Sequence, residues 1–170
     1  MKIGLKILLS VLCAAAYIAL LILMPFSWLT FLPGLLVCSW LATWIHETGH
    51  LAAYAMLKLT WKRMVVSCFV LDREKGLFFD TSRSLFAGSC TCAYSPEIPL
   101  WRYDLALLSG GFLGVIFGAA ALWLSFLTGA GLQAFFQCFS LVNLLHAAVN
   151  LLLPISADRK MMLQLRKKSI

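Results

Sequence analysis

Charge is what this sequence has least of: Asp, Glu, Lys and Arg make up 12% of its 170 residues, against 62% hydrophobic residues and a mean hydropathy of +0.90. A water-soluble domain carries about a quarter charged and about half apolar residues, so the composition argues against that class and for an integral membrane protein. Acidic residues are scarcer still, seven in all, and histidines number three. The formal net charge is +7, but the basic residues flank apolar runs and form no long basic stripe. Membrane topology therefore accounts for them better than a nucleic-acid partner does, and no nucleic acid is expected. The six cysteines (Cys13, Cys38, Cys68, Cys90, Cys92, Cys138) lack the paired spacings of a zinc ribbon or a disulfide scaffold, with Cys90-Thr91-Cys92 the one close pair. An internal repeat, common in transporters, is also missing.

What is present is a series of apolar runs long enough to span a bilayer. They predict helices over about 7–26, 33–57, 104–127 and 131–153, with one polar segment, 58–103, between the second and third. The first run shows no short apolar core ending in a small-residue cleavage site, and Leu12 precedes Cys13 where lipoprotein processing prefers a small residue, so it is expected to be retained. The expected fold class is all-α and integral to the membrane, a single domain of about four transmembrane helices with a small cytoplasmic-side β-hairpin. The hairpin is read from the apolar residues 65–71, the charged turn Asp72-Arg73-Glu74-Lys75-Gly76 and Leu77-Phe78-Phe79. It either lies on the membrane surface or offers a sheet edge to which an extended peptide adds as a strand, with Ser67 and Phe69 as substrate contacts. Residues 82–99, rich in Ser, Gly, Cys and Pro, read as an irregular or re-entrant loop. Asp104 is the expected cap of the third helix, along which Gly110, Gly111, Gly114 and Gly118 permit close helix packing.

Lys and Arg set the expected orientation. Two precede the first run, seven lie between Lys58 and Arg102, five follow from Arg159 onward, and the two short connections have none. By the positive-inside rule both termini and the polar segment are cytoplasmic in a multi-pass membrane protein.

Within the second apolar run stands His46-Glu47-Thr48-Gly49-His50, an H-E-x-x-H sequence. A chain of this composition would produce it by chance in about one of a thousand shuffles. On a helix the i, i+4 spacing puts His46 and His50 on one face, where both imidazoles can reach one metal while Glu47 addresses a water. Ionisable groups at mid-membrane cost about 2.5–3.5 kcal/mol each by insertion scales, so three in five positions need a compensating partner, and a cation is one. Mutual satisfaction of the three side chains, or a proton path, is the bland alternative. Two neutral imidazoles alone would leave a zinc ion short of ligands and its charge uncompensated, so a carboxylate is expected nearby. Glu47 belongs to the motif, Asp72, Glu74, Asp80 and Glu97 to the polar segment, and Asp104 to a cap. That leaves Asp158, at the end of the last membrane helix and on the same side as the His pair, whose alternative is a weak surface pairing with Arg159 or Lys160. Asn143, His146 and Asn150 share one face of that helix, where His146 serves either helix packing or the site.

These features resemble the site-2 proteases, a family of intramembrane zinc metalloproteases. Its members carry H-E-x-x-H in a core helix, then a strand segment, a Gly-rich central helix and a later N-x-x-P-x-x-x-x-D-G sequence whose Asp is the third zinc ligand. Here His46 to His50 matches the first, and Asn150-Leu151-Leu152-Leu153-Pro154-Ile155-Ser156-Ala157-Asp158 the last, with Pro154 one position late and Arg159 in place of Gly. Gly110-Gly111 stands where many members have Gly-Pro followed by an Asn, so Asn143 or Asn150 would have to supply that residue's positioning or oxyanion role. The resemblance runs from about Pro33 to the end and leaves no room for a PDZ domain. It implies Zn²⁺ held by His46, His50 and Asp158, Glu47 as general base, a membrane-spanning or membrane-associated protein or peptide as substrate, and a bacterial cell membrane as the setting. The alternative is a non-proteolytic membrane protein, an ion or peptide transporter or an inactive binding relative. Glu47, present here, argues against the inactive relative.

Overall fold

A computed structural model describes residues 28–80, 82–84, 87–153 and 156–168. The expected helix 7–26 and Pro154 lie outside the described residues. Helix α1 spans Trp28–Met56 and so begins earlier than expected, with Pro33 inside it. It ends in a Schellman arrangement. Lys58 takes a positive φ of 55°, its amide donates to the Ala55 carbonyl (3.3 Å), and the Leu59 amide donates to Tyr54 (2.8 Å). This satisfies the last carbonyls of the helix, and Leu59 and Tyr54 meet in the core.

The polar segment folds into more than a hairpin. Strands β1 (Trp61–Val66), β2 (Phe69–Asp72), β3 (Gly76–Phe79) and β4 (Gly88–Cys92) form an antiparallel sheet in the order β3-β2-β1-β4. The apolar run 65–71 is therefore two strands. It reverses at Ser67, whose φ is 56°, so that Val66 pairs with Phe69. The charged turn falls where expected: Asp72 Oδ1 accepts the amides of Glu74 and Lys75, and Gly76 has a φ of 73°. β4 lies inside the stretch expected to be an irregular loop, and pairs Val65 with Ser89 and Met64 with Cys90. The fold class is thus mostly helical with a four-stranded sheet, not all-α with a two-stranded hairpin.

Helix α2 runs over Leu100–Ser125, α3 over Ala130–Leu152 and a short α4, not expected, over Ala157–Lys168. Asp104 lies within α2, whose cap is Pro99, and pairs with Arg166 of α4 at 2.8 Å. Tyr54, Leu59, Met64, Val66, Cys90, Tyr103 and Ala106 form the buried cluster that joins α1, the inner sheet face and the start of α2. Along α2 the glycine stripe packs against α3: Gly111 faces Leu151, Gly114 faces Ala147 and Gly118 faces Leu144.

Where four spanning helices were expected, two of the described helices are long and apolar enough to cross a membrane, α2 and residues Leu132–Leu152 of α3. Both carry large apolar side chains outward, among them Phe112, Ile116, Phe117, Leu145 and Leu152. In α1 the apolar run is interrupted by His46, Glu47 and His50.

Candidate metal centre

One helical turn separates His46 from His50 on α1, so their rings meet on one face with Nε2 atoms 3.0 Å apart. Asp158, in the first turn of α4, comes to the same point from 112 residues along the chain. Its Oδ2 lies 3.1 Å from His46 Nε2 and 3.3 Å from His50 Nε2. Among the described residues this is the group of His, Cys, Asp and Glu side chains able to hold a metal ion. The three donor atoms lie close to the spacing of about 3.3 Å between neighbouring ligand atoms of a tetrahedral zinc with bonds near 2.0 Å. Asp158 thus lies against the His pair rather than in a surface pairing.

The surroundings fix the ligand chemistry. His50 Nδ1–H donates to the Ala106 carbonyl at 2.8 Å, which leaves Nε2 as a lone-pair donor aimed at its neighbours. Two ring nitrogens and a carboxylate oxygen facing one another are an arrangement that a bound cation satisfies. Gly110 makes the approach of α2 possible: a Cβ there would stand 2.7 Å from His50 Nε2 and 2.8 Å from the His46 carbonyl oxygen. The glycine stripe read as helix packing therefore also shapes the site, which its spacing gave no sign of.

Glu47 is buried beside the pair, and its Oε2 has no hydrogen-bond partner among the described residues. An unpartnered carboxylate oxygen is costly unless a water or ligand meets it. Gly88, at the start of β4, packs directly on it, since a Cβ there would lie 2.7 Å from Glu47 Oε1 and from Thr43 Cγ2. The sequence offered no signal for this contact.

The remaining expected residues divide. His146 of α3 reaches the site, its ring centroid 4.9 Å from that of His46. Asn143 and Asn150 turn back on their own helix, donating to the Phe139 and His146 carbonyls at 2.9 and 3.0 Å. Ser67 is buried at the β1–β2 turn, and Phe69 packs edge-on against Trp44 and Phe79. Both belong to the inner half of the sheet, so they are not at an open edge. The outer strands are β3 and β4. Cys90 and Cys92 stay outside the metal group, and burial pushes the Cys90 thiol up to about 12, which keeps it protonated. No family model, no curated protein and no solved structure matches the chain.

Proposed function

We propose that the chain is an intramembrane zinc metalloprotease of the kind its sequence resembles, the site-2 proteases, hydrolysing peptide bonds of membrane-spanning or membrane-associated substrates. The observation that carries this reading is the meeting of His46, His50 and Asp158, from opposite ends of the described chain, beside a buried Glu47 with an unpartnered oxygen. The chemistry a zinc ion supplies when held there is Lewis acidity, polarising the scissile carbonyl and easing deprotonation of a water. Glu47 takes the proton from that water and delivers it to the leaving amine. The Ala106 carbonyl keeps the His50 ring oriented, and burial of all three motif side chains keeps bulk water away.

The substrate side of the site is β4. It is an outer strand, and its Gly88 rests on Glu47. An extended chain adding to that edge by main-chain hydrogen bonds would carry its peptide group towards the general base. A helix must unwind before it can do so, because its carbonyls are internally bonded. The outward apolar faces of α2 and α3 suit contact with lipid, and the distribution of Lys and Arg supports a cytoplasmic side for the sheet.

The test is cleavage of fluorogenic casein, and of single-span membrane proteins, by purified protein with zinc and with a chelator. Glu47→Gln is expected to keep its zinc content and to lose activity by about 10²–10⁴-fold, the usual weight of a general base. Full activity in that variant, or in chelated protein, would end this reading.

A further inference from the structure

We propose that His146 is a catalytic residue whose neutral ring N–H donates to the oxygen of the tetrahedral intermediate as the scissile carbonyl is attacked; this rests on the protease reading above. Such an oxygen needs a donor set about 2.7–3.1 Å from where the negative charge develops. Among the described residues, most side-chain donors around the triad bond backbone carbonyls. Thr43 donates to Ser39, His50 to Ala106, Tyr54 to Cys90, Ser109 to Ala106 or Gly49, Asn143 to Phe139 and Asn150 to His146. Each of the two asparagines gives one of its two amide N–H groups to its own helix, and the side-chain atom of Asn143 left without a partner is its acceptor, Oδ1. Trp44 has an unpaired Nε1, but its ring packs towards the sheet, on Phe69.

His146 remains, with no hydrogen bond to its side chain among the described residues. It is half-buried on α3, and its ring is tilted 47° to that of His46 with centroids 4.9 Å apart. His146 lies outside the three-residue group whose donor atoms sit within 4.8 Å of one another, so it is a neighbour of the ligands rather than one of them. Neither ring nitrogen of His146 is among the buried polar atoms left without a partner, so its N–H keeps accessible surface and is open to a substrate oxygen.

The experiment compares His146→Phe, which removes the donor, with His146→Gln, which keeps one. Readouts are zinc content, casein kinetics and the affinity of a phosphinic dipeptide with Leu side chains, a tetrahedral mimic. His146→Phe is expected to keep its zinc, lose about 10²–10³-fold in kcat with little change in KM, and bind the phosphinate more weakly by a similar factor. His146→Gln recovers part of both, and reads the donor role even if the Phe variant does not fold. Loss of zinc from folded His146→Phe or His146→Gln would make His146 a ligand and overturn the proposal. So would unchanged kcat and phosphinate affinity alongside an inactive Glu47→Gln, which would leave the protease reading standing. Wild-type protein that neither cleaves nor binds the phosphinate with zinc present overturns both.

Discussion

Gly110 is set by a space, not by a backbone angle. The nearest atoms to its missing Cβ are His50 Nε2, His46 Cε1 and the His46 carbonyl oxygen, all within 2.8 Å, and the last is backbone that cannot swing aside. Gly110→Ala therefore forces α2 away from α1 and tilts the imidazoles. We expect zinc affinity to fall by about 10–100-fold, as when an outer support of a ligand is lost. Stability should fall by about 1–3 kcal/mol, the range of an overpacked core. Competitive zinc titration and thermal melts check this. Gly111→Ala is the control, because its Cβ meets the Leu151 side chain on α3 instead. Equal zinc affinity in Gly110→Ala and wild type would remove the packing argument. The i, i+4 pair and Glu47 were legible because one turn of helix puts them together, whereas what fills the space above them was not.

Among the elements, the sheet departs furthest from expectation. The run 65–71 has no Gly, Pro, Asn or Asp to mark a reversal, so the turn at Ser67 is imposed by the pairings on either side of it. β4, Gly-Ser-Cys-Thr-Cys, has a loop composition and becomes a strand because β1 offers it an edge. The turn after β2, by contrast, was legible, since Asp at its start and Gly at its end are the residues the geometry asks for. That turn also carries a pH dependence. The Glu74 amide first, and then Arg63, hold the Asp72 carboxyl below its usual value. A depressed carboxylate gives stability that is complete above the unfolded value, about pH 4, and is lost as pH falls through the folded one. Asp72→Asn should flatten the acid side of a melting-temperature profile measured without zinc, while leaving the neutral region nearly parallel to wild type. An unchanged acid slope would show that the turn does not carry the effect.

On the scale of the whole molecule, a metal held by the candidate group would clasp α1 to α4, beside the Arg166–Asp104 pair that ties α4 to α2. Anything that binds the folded chain alone stabilises it, by about 2.7 kcal/mol at a hundred times Kd. Chelation should therefore lower the melting temperature of the wild type. Asp158→Ala should lower both zinc occupancy and activity sharply and melt at the same temperature with or without chelator, and Asp158→Glu should keep some of each. Full zinc in Asp158→Ala would send the search for a third ligand to His146.

Composition by itself determined that this chain is rich in apolar and poor in charged residues, because those are sums over residues. Spacing by itself determined the helical His pair with Glu47 between, the charged turn and the small-residue face of α2, because each lies within one element and its period. Only the tertiary structure decided that Asp158 meets the pair, that Ala106 orients His50, that β4 closes on Glu47, and that His146 is near while Asn143 and Asn150 face their own helix. The reason is physical: these contacts join segments up to 112 residues apart, and which of them form depends on how the faces of α1, α2, α3 and the sheet pack together. No local pattern encodes that.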